Sequence, residues 1–442
     1  ISAFDYVYSN GSGTSKHIQL STFGTQSTPT TALTNGAFST KAFRYNSTKQ
    51  LYFTGGSASD INTLYVVVGT INAGETDLPF ASTTIEASCY GFDVVELAVG
   101  TYFIIYRNAT LVKARVVTYD GTTVTVGSAT TIESTTATGI YPACARLDAS
   151  RVLIAYDENT TAYLKTQVVS ISGTSITTNT PNTVTATAMT TGSHSIMACN
   201  VDTDRTLVLY AYYNGSSYLG RSAVITTSGT TVSAYGSEVT VYTFSSASHT
   251  AKLYKISTNR AITFYRDSGS STNKWLSTIV TVSGTTPNYN TGTQLSASTS
   301  QTAFGPAVCI LDTVAMKALI GTSEDTSATA IIADLSGTTI SILSTSTAFA
   351  QGAYNAIVKL RPYVYGYYGS TNKQIFVLST VEQKTRLGVA GSAISSAASG
   401  VITTPYTLLT GFSGLTPATV YYIDDNGSYT TELSAVAANK EY

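Results

Sequence analysis

The chain is poor in charge. Of its 442 residues only 11% are Asp, Glu, Lys or Arg, less than half of the roughly 25% usual in soluble domains. Its 24 basic and 25 acidic side chains leave a formal net charge of -1. No excess of one sign is available to draw it to nucleic acid or an anionic membrane. No apolar run approaches the roughly 18 residues that a transmembrane helix requires, so insertion by a helix is excluded. There are only nine prolines, four cysteines and one tryptophan. Low charge does not mean disorder, because 43% of residues are hydrophobic and 10% aromatic. The chain opens at Ile1 without a recognisable leader, so residues upstream of it are expected.

What is abundant is Thr, Ser and, with 31 residues, Tyr. Apolar stretches such as Leu64–Val68, Tyr102–Tyr106 and Val152–Tyr156 are short, β-branched or aromatic, and bounded by Gly, Ser, Asn or Asp. Such runs read as strands, and no stretch carries a helical period. The class is all-β.

A repeat sets the architecture. Turns ending in Gly-Thr or a close variant place glycines at 24, 74, 121, 173, 229, 284 and 337, separated by 50, 47, 52, 56, 55 and 53 residues. A Gly at the tip between two alternating segments marks a hairpin, because it accepts the positive φ that tight β-turns need. Ahead of this turn recurs an Arg-to-Tyr strand: Arg151–Tyr156, Arg205–Tyr210 and Arg260–Tyr265. Each repeat reads as strand, turn, strand, loop, strand, Gly turn, strand, which is the four-stranded blade of a β-propeller. Counting second strands near Tyr8, Phe53, Tyr106, Tyr156, Tyr210, Tyr265, Leu319 and Tyr365 gives about eight blades. Seven is the alternative. The first blade lacks its own first strand, and the segment from Thr385 to Ile394 is a candidate to pair beside Phe4–Tyr8. After residue 383 the texture changes, which divides the chain into a propeller over 1–383 and a small β module over 384–442.

Cys89, Cys144, Cys199 and Cys309 are spaced by 55, 55 and 110 residues. The register predicts four buried, reduced thiols on innermost strands rather than a disulfide framework.

Two stretches carry a resemblance. Asp148–Tyr156, followed by Val168–Ile176, resembles the repeat common in tail-fibre and other virion proteins of tailed bacteriophages. The run Leu387–Ala390, Ser413–Pro417, Tyr421–Asp424 and Leu433–Ala435 is similar to a short module at the ends of such proteins. Ala418 departs from the usual Gly, and the repeats at 299–350 and 351–383 lose the Arg-to-Tyr signature. The resemblance implies a structural component of a phage virion, a tail-fibre or capsid-surface protein. On it follow other virion proteins as partners, a host-surface glycan or protein as a further partner, assembly as a homo-oligomer, and location in the extracellular particle. It supplies no catalytic residues.

The remaining constellations favour bland readings. His194 and His249 share a repeat step, but a zinc site needs four converging ligands. In the pairs Asp148…Arg151 and Asp202…Arg205, Asp starts a tight turn and Arg opens the next strand as a contact between blades. No nucleophile elbow, P-loop or His-Glu-x-x-His motif occurs, so no enzyme, cofactor or metal is expected. The competing readings are a host-glycan-binding adhesin and a glycan depolymerase. The recognition candidates are Tyr212, Tyr213, Tyr367 and Tyr368, from clusters in which alternation assigns the other tyrosines to the core.

Overall fold

The computed structural model describes residues 39–55, 62–71, 81–109, 111–134, 140–158, 163–185, 189, 194–244, 251–267, 274–290, 292–295, 306–312, 316–323, 327–346, 349–350, 356–361, 364–368 and 372–380. Near the ends it also describes short strands at 6–9, 15–16, 20–26, 30–31, 386–390, 402–403, 422–423 and 429–430. Every regular element among these residues is a strand. The chain divides into two compact units. One comprises Ile1–Thr25, Arg361–Val364 and Val377–Tyr442; the other comprises Gln26–Leu360 and Tyr365–Phe376.

The larger unit is a β-propeller. Six contiguous blades follow one another at 39–89, 91–133, 143–183, 197–244, 251–294 and 307–350, here numbered blades 1 to 6. In blade 3 the order is Ala143–Arg146, Arg151–Asp157, Leu164–Ser172 and then Ser175–Thr178, with Asn182–Thr183 on the other half of the third strand. All these pairings are antiparallel. The second strand is buried along nearly its whole length, because neighbouring blades cover both of its faces. That is why its sequence is a continuous apolar run rather than an alternation. The outer strand Ser175–Thr178 is largely exposed and reads Ser-Ile-Thr-Thr. The core therefore lies between blades. Leu153, Ala155, Leu164 and Val168 of blade 3 pack with Val208, Tyr210, Ala223 and Ile225 of blade 4. Ile262, Phe264, Trp275 and Ile279 of blade 5 pack with Ala318, Ile320, Ile331 and Ala333 of blade 6. Each fully buried Leu, Val, Ile or Phe among them is worth roughly 1.5–3 kcal/mol of apolar transfer.

The repeat signals are the joints of this ring. Gly173, Gly229 and Gly284 carry φ of +59°, +59° and +58° at two-residue hairpin tips. A Cβ at any of the three would meet nothing within 4 Å, so only the sign of φ demands glycine there. Each Arg that opens a second strand reaches the Gly turn of the next blade. Arg151 Nη1 donates to Gly229 O at 2.5 Å, Arg205 Nη1 to Gly284 O at 2.5 Å, and Arg260 Nη2 to Gly337 O at 2.5 Å. Asp148 Oδ1 accepts from Ser150 N at 2.7 Å while its Oδ2 accepts from Arg151 Nε at 2.6 Å. Asp202 repeats this on Asp204 N and Arg205. Turn and clamp are thus one device, as the sequence reading of these pairs expects.

Three expectations are corrected. The count of eight blades, and the alternative of seven, gives way to six contiguous blades. The run at Tyr8 is not a blade strand: Tyr6–Ser9 pairs with Ser15–Lys16 and with Arg386–Ala390, Tyr6 opposite Val389 and Val7 opposite Gly388. With Ile402–Thr403 these form a separate four-stranded sheet. The expected partnership of the two ends is present, but it adds no strand to the six blades. The run at Tyr365 belongs to a further, composite sheet in which 356–361, 364–368 and 372–380 are joined by Thr30–Thr31, opposite Lys373 and Asn372. The third correction concerns Cys89, which ends the outermost strand of blade 1 rather than an innermost one. Only Tyr90 separates that strand from the innermost strand of blade 2, so a 55-residue spacing reaches the wrong element. Cys144, Cys199 and Cys309 do lie on innermost strands and all four thiols are free of disulfides, but Cys309 is half-buried where the other three are buried. Burial pushes the thiol pKa of Cys199 up to about 12 and that of Cys309 to about 11.

Candidate recognition surface

The hairpin of blade 4 that joins Arg205–Tyr213 to Tyr218–Ser228 ends in a pair of aromatic rings. Asn214 and Gly215 make the turn. Asn214 Oδ1 accepts from Ser216 N at 3.0 Å and Ser217 N at 2.8 Å, and Gly215 takes φ +94°. This tight closure sets Tyr213 directly opposite Tyr218 and Tyr212 opposite Leu219. Successive side chains on a strand point to opposite faces, so the two tyrosines serve different sides of the hairpin.

On the side toward blade 5, the Tyr213 and Tyr218 rings lie 4.6 Å apart at 35°. Tyr213 is 40% exposed, and its hydroxyl donates to Gly215 O at 2.9 Å, which fixes the ring. Behind them Tyr218 joins the core shared with Tyr242, Tyr265 and Tyr289. Tyr242 stacks on Tyr265 at 4.2 Å and 7°. Gly220 is required below Tyr242, because a Cβ there would sit 2.2 Å from the ring.

On the side toward blade 3, the Arg221 guanidinium lies 4.1 Å from the centroid of the half-buried Tyr212 ring. Arg221 Nη1 also pairs with Glu238 Oε2 at 2.7 Å, and Glu238 Oε1 accepts from the Tyr210 hydroxyl. Burial, and then the hydrogen bond to Glu238, push the Tyr210 hydroxyl above its ordinary pKa, so it stays a donor. The end of blade 4 therefore offers a flat apolar ring face on one side and a fixed cation beside a carboxylate on the other.

Of the four tyrosines singled out from sequence, Tyr212 and Tyr213 meet here. Tyr367 and Tyr368 lie at the end of strand Val364–Tyr368, and their side chains fall outside the described residues. Tyr365 on that strand is buried. Sequence reasoning missed Tyr218, Arg221 and Glu238. The Asn214-Gly215 pair was the available signal, since a hairpin turn there brings 218 and 221 back beside 213 and 210.

Other candidates separate. His194 sits in a two-residue strand paired in parallel with Ile140–Tyr141, and His249 lies outside the described residues. Among the described residues no group of three or more His, Cys, Asp or Glu converges. Glycoside cleavage needs an acid held protonated facing a second carboxylate. Asp148, Asp202 and Asp334 are instead held below the usual carboxylate range: burial opposes this, but hydrogen bonds from their own turns and neighbouring cations prevail. Glu96 is pushed up by burial, on the innermost strand of blade 2 opposite Tyr102.

No family model and no curated protein matches the chain in sequence. Among solved structures, a fucose-recognising six-bladed propeller lectin from Aleuria aurantia is 11% identical, with TM-score 0.45, covering 71% of this chain and 97% of the lectin. The WD40 domain of Neurospora crassa Pan2 is 9% identical with TM-score 0.46, covering 79% and 91%. A Hadza microbial sialidase is 9% identical with TM-score 0.40, covering 76% of each chain.

Proposed function

We propose that the protein is a non-catalytic scaffold that binds carbohydrate at the hairpin end of blade 4. We place it as a surface component of a tailed-phage virion, in the manner of the repeat proteins its sequence resembles. The observation that carries the reading is the Tyr213–Tyr218 ring pair, in which Tyr213 is fixed by its own turn and exposed to solvent while the half-buried Tyr218 backs it. An immobilised aromatic face binds the apolar side of a sugar ring with little loss of conformational entropy. Arg221 and Glu238 on the other side supply a fixed donor and acceptor for hydroxyl groups. The clamped blades behind them supply the rigidity on which a preorganised site depends. The test is binding of the full chain to a panel of immobilised host-surface oligosaccharides. A specific glycan should be retained, and Tyr213→Ala should weaken it about tenfold, equivalent to about 1.4 kcal/mol. Retention of no glycan overturns the reading, and so does shortening of a polysaccharide by the chain.

A further inference from the structure

The innermost strands of successive blades lie side by side and line the axis of the propeller. One level of this lining can be read from the strand registers. Lys41 pairs with Phe53, Asp93 with Ile105, Ala143 with Ala155, Met197 with Leu209, Lys252 with Phe264 and Ala307 with Gly321. Each partner stands at the same step after the residue that opens its second strand, so the six positions form one layer. Three are small or apolar; the others are two lysines and one aspartate.

The aspartate is committed. Asp93 Oδ1 lies 2.8 Å from Lys41 Nζ, and Asp93 Oδ2 accepts from Cys144 N at 3.0 Å. Burial works against the charge on Lys41, but the attraction and hydrogen bond of Asp93 outweigh it and hold that ammonium firmly protonated. Lys252 has no acceptor for its ammonium among the described residues. Burial, and then the like charge of Lys41, bring its pKa down to about 8, against a smaller opposing attraction from Asp93. Tyr254, two residues on, donates its hydroxyl to Pro306 O at 2.9 Å and leaves Lys252 unassisted. Lys41 keeps 39% of its side chain exposed although it stands on an innermost strand. The six positions therefore set two ammonium groups against one carboxylate, an excess of one positive charge that attracts a counter-charge.

We propose that this layer is an oxyanion site, in which Lys41 and Lys252 together bind a carboxylate or a phosphate group. Lysine suits this role as a compact charge with three donors. The site is independent of the blade 4 surface, so either can fail while the other stands. The two sources of such an anion are an acidic sugar and a phosphorylated ligand. The full chain, with its lysines labelled by reductive ¹³C-methylation, is titrated with inorganic phosphate and separately with glucuronate, at constant ionic strength. The Lys252 signal is expected to titrate near its depressed pKa without anion, and at least one pH unit higher with it. Binding should fade as pH rises through about 8, because the ammonium is lost. Lys252→Met should weaken the anion at least tenfold, while Lys252→Arg retains it and shows that folding is intact. Response to phosphate alone identifies a phosphorylated ligand, and response to glucuronate alone an acidic sugar. No shift of Lys252 with either anion at about 10 mM, which sets the bound at a very weak Kd, overturns the proposal, as does unchanged binding by Lys252→Met.

Discussion

Between blades 1 and 2, Tyr45 packs edge-on against Tyr119 at 4.8 Å and against Gly100 and Gly121. Between blades 4 and 5 the equivalent space is crossed by Arg205, which donates to Gly284 O at 2.5 Å and to Asn259 Oδ1 at 2.6 Å while paired with Asp202. Both side chains leave the turn after an innermost strand and grip the neighbouring blade at its Gly turn. At the Gly turn one seam is closed by an aromatic contact and the other by charge-assisted hydrogen bonds. Away from the turn the ion pairs Lys41–Asp93 and Arg115–Glu86 also cross the first seam, and an apolar core fills the second. The repeat fixes where the seam must be closed and leaves the chemistry free. The consequence lies in their response to conditions, since apolar contact is indifferent to pH and the guanidinium clamp is not.

The largest expected effect comes from filling a seam. A Cβ on Gly236 of blade 4 would stand 2.0 Å from Thr285 O, a backbone atom of blade 5. Gly236→Ala should cost about 3 kcal/mol through overpacking, read as a lower urea midpoint. Next is removal of the clamp. Arg205→Ala should cost about 2–3 kcal/mol, because it deletes charge-assisted bonds and strands Asp202. Tyr45→Ala should cost about 2 kcal/mol by lost packing. Arg205→Lys should recover little of the loss, since an ammonium cannot reproduce the fork that reaches both Gly284 and Asn259.

Acid sharpens the comparison further. Asp202 is held below its unfolded pKa, so its contribution is complete above about pH 4 and is lost as pH falls through the lowered value. Asp148 and Asp334 act in the same direction. Melting of the wild type should fall more steeply between about pH 4 and pH 2 than melting of Asp202→Asn. Equal slopes would show that the clamp is not what titrates. The smallest effect is Gly229→Ala, where space is open and only φ +59° is unfavourable. It should cost about 1 kcal/mol. A cost as large as that of Gly236→Ala would mean that Arg151 depends on the exact turn geometry.

Features carried by neighbours in sequence were legible without coordinates. The Gly turns and the Asp-initiated turns act within a few residues, and the Arg that opens the second strand of blades 3 to 5 is marked by its repeat even though it reaches the next blade. Features that depend on pairing partners were not. Tyr8 looks like a blade strand, yet its partner is the chain's far end. The Cys89 spacing matches the repeat because an outer strand runs almost directly into the next inner one. At the candidate recognition surface Tyr213 was found as an aromatic among aromatics. Arg221 and Glu238 carry no local mark: the hairpin register brings Arg221 opposite Tyr210, and the pairing of Tyr218–Ser228 with Val239–Phe244 brings Glu238 to Arg221.

The most direct test of the seam account is native-state hydrogen exchange on Arg205→Ala at neutral pH. Asn259 N donates to Val201 O at 2.8 Å and Val282 N to Asn259 O at 2.9 Å, so both amides report the seam between blades 4 and 5. Tyr119 N, bonded to Gly100 O at 2.7 Å, reports the seam closed by Tyr45. The account predicts that Asn259 and Val282 lose protection at least tenfold while Tyr119 keeps its own, because local opening follows the contact removed. Equal loss at all three amides, or none at any, would contradict it.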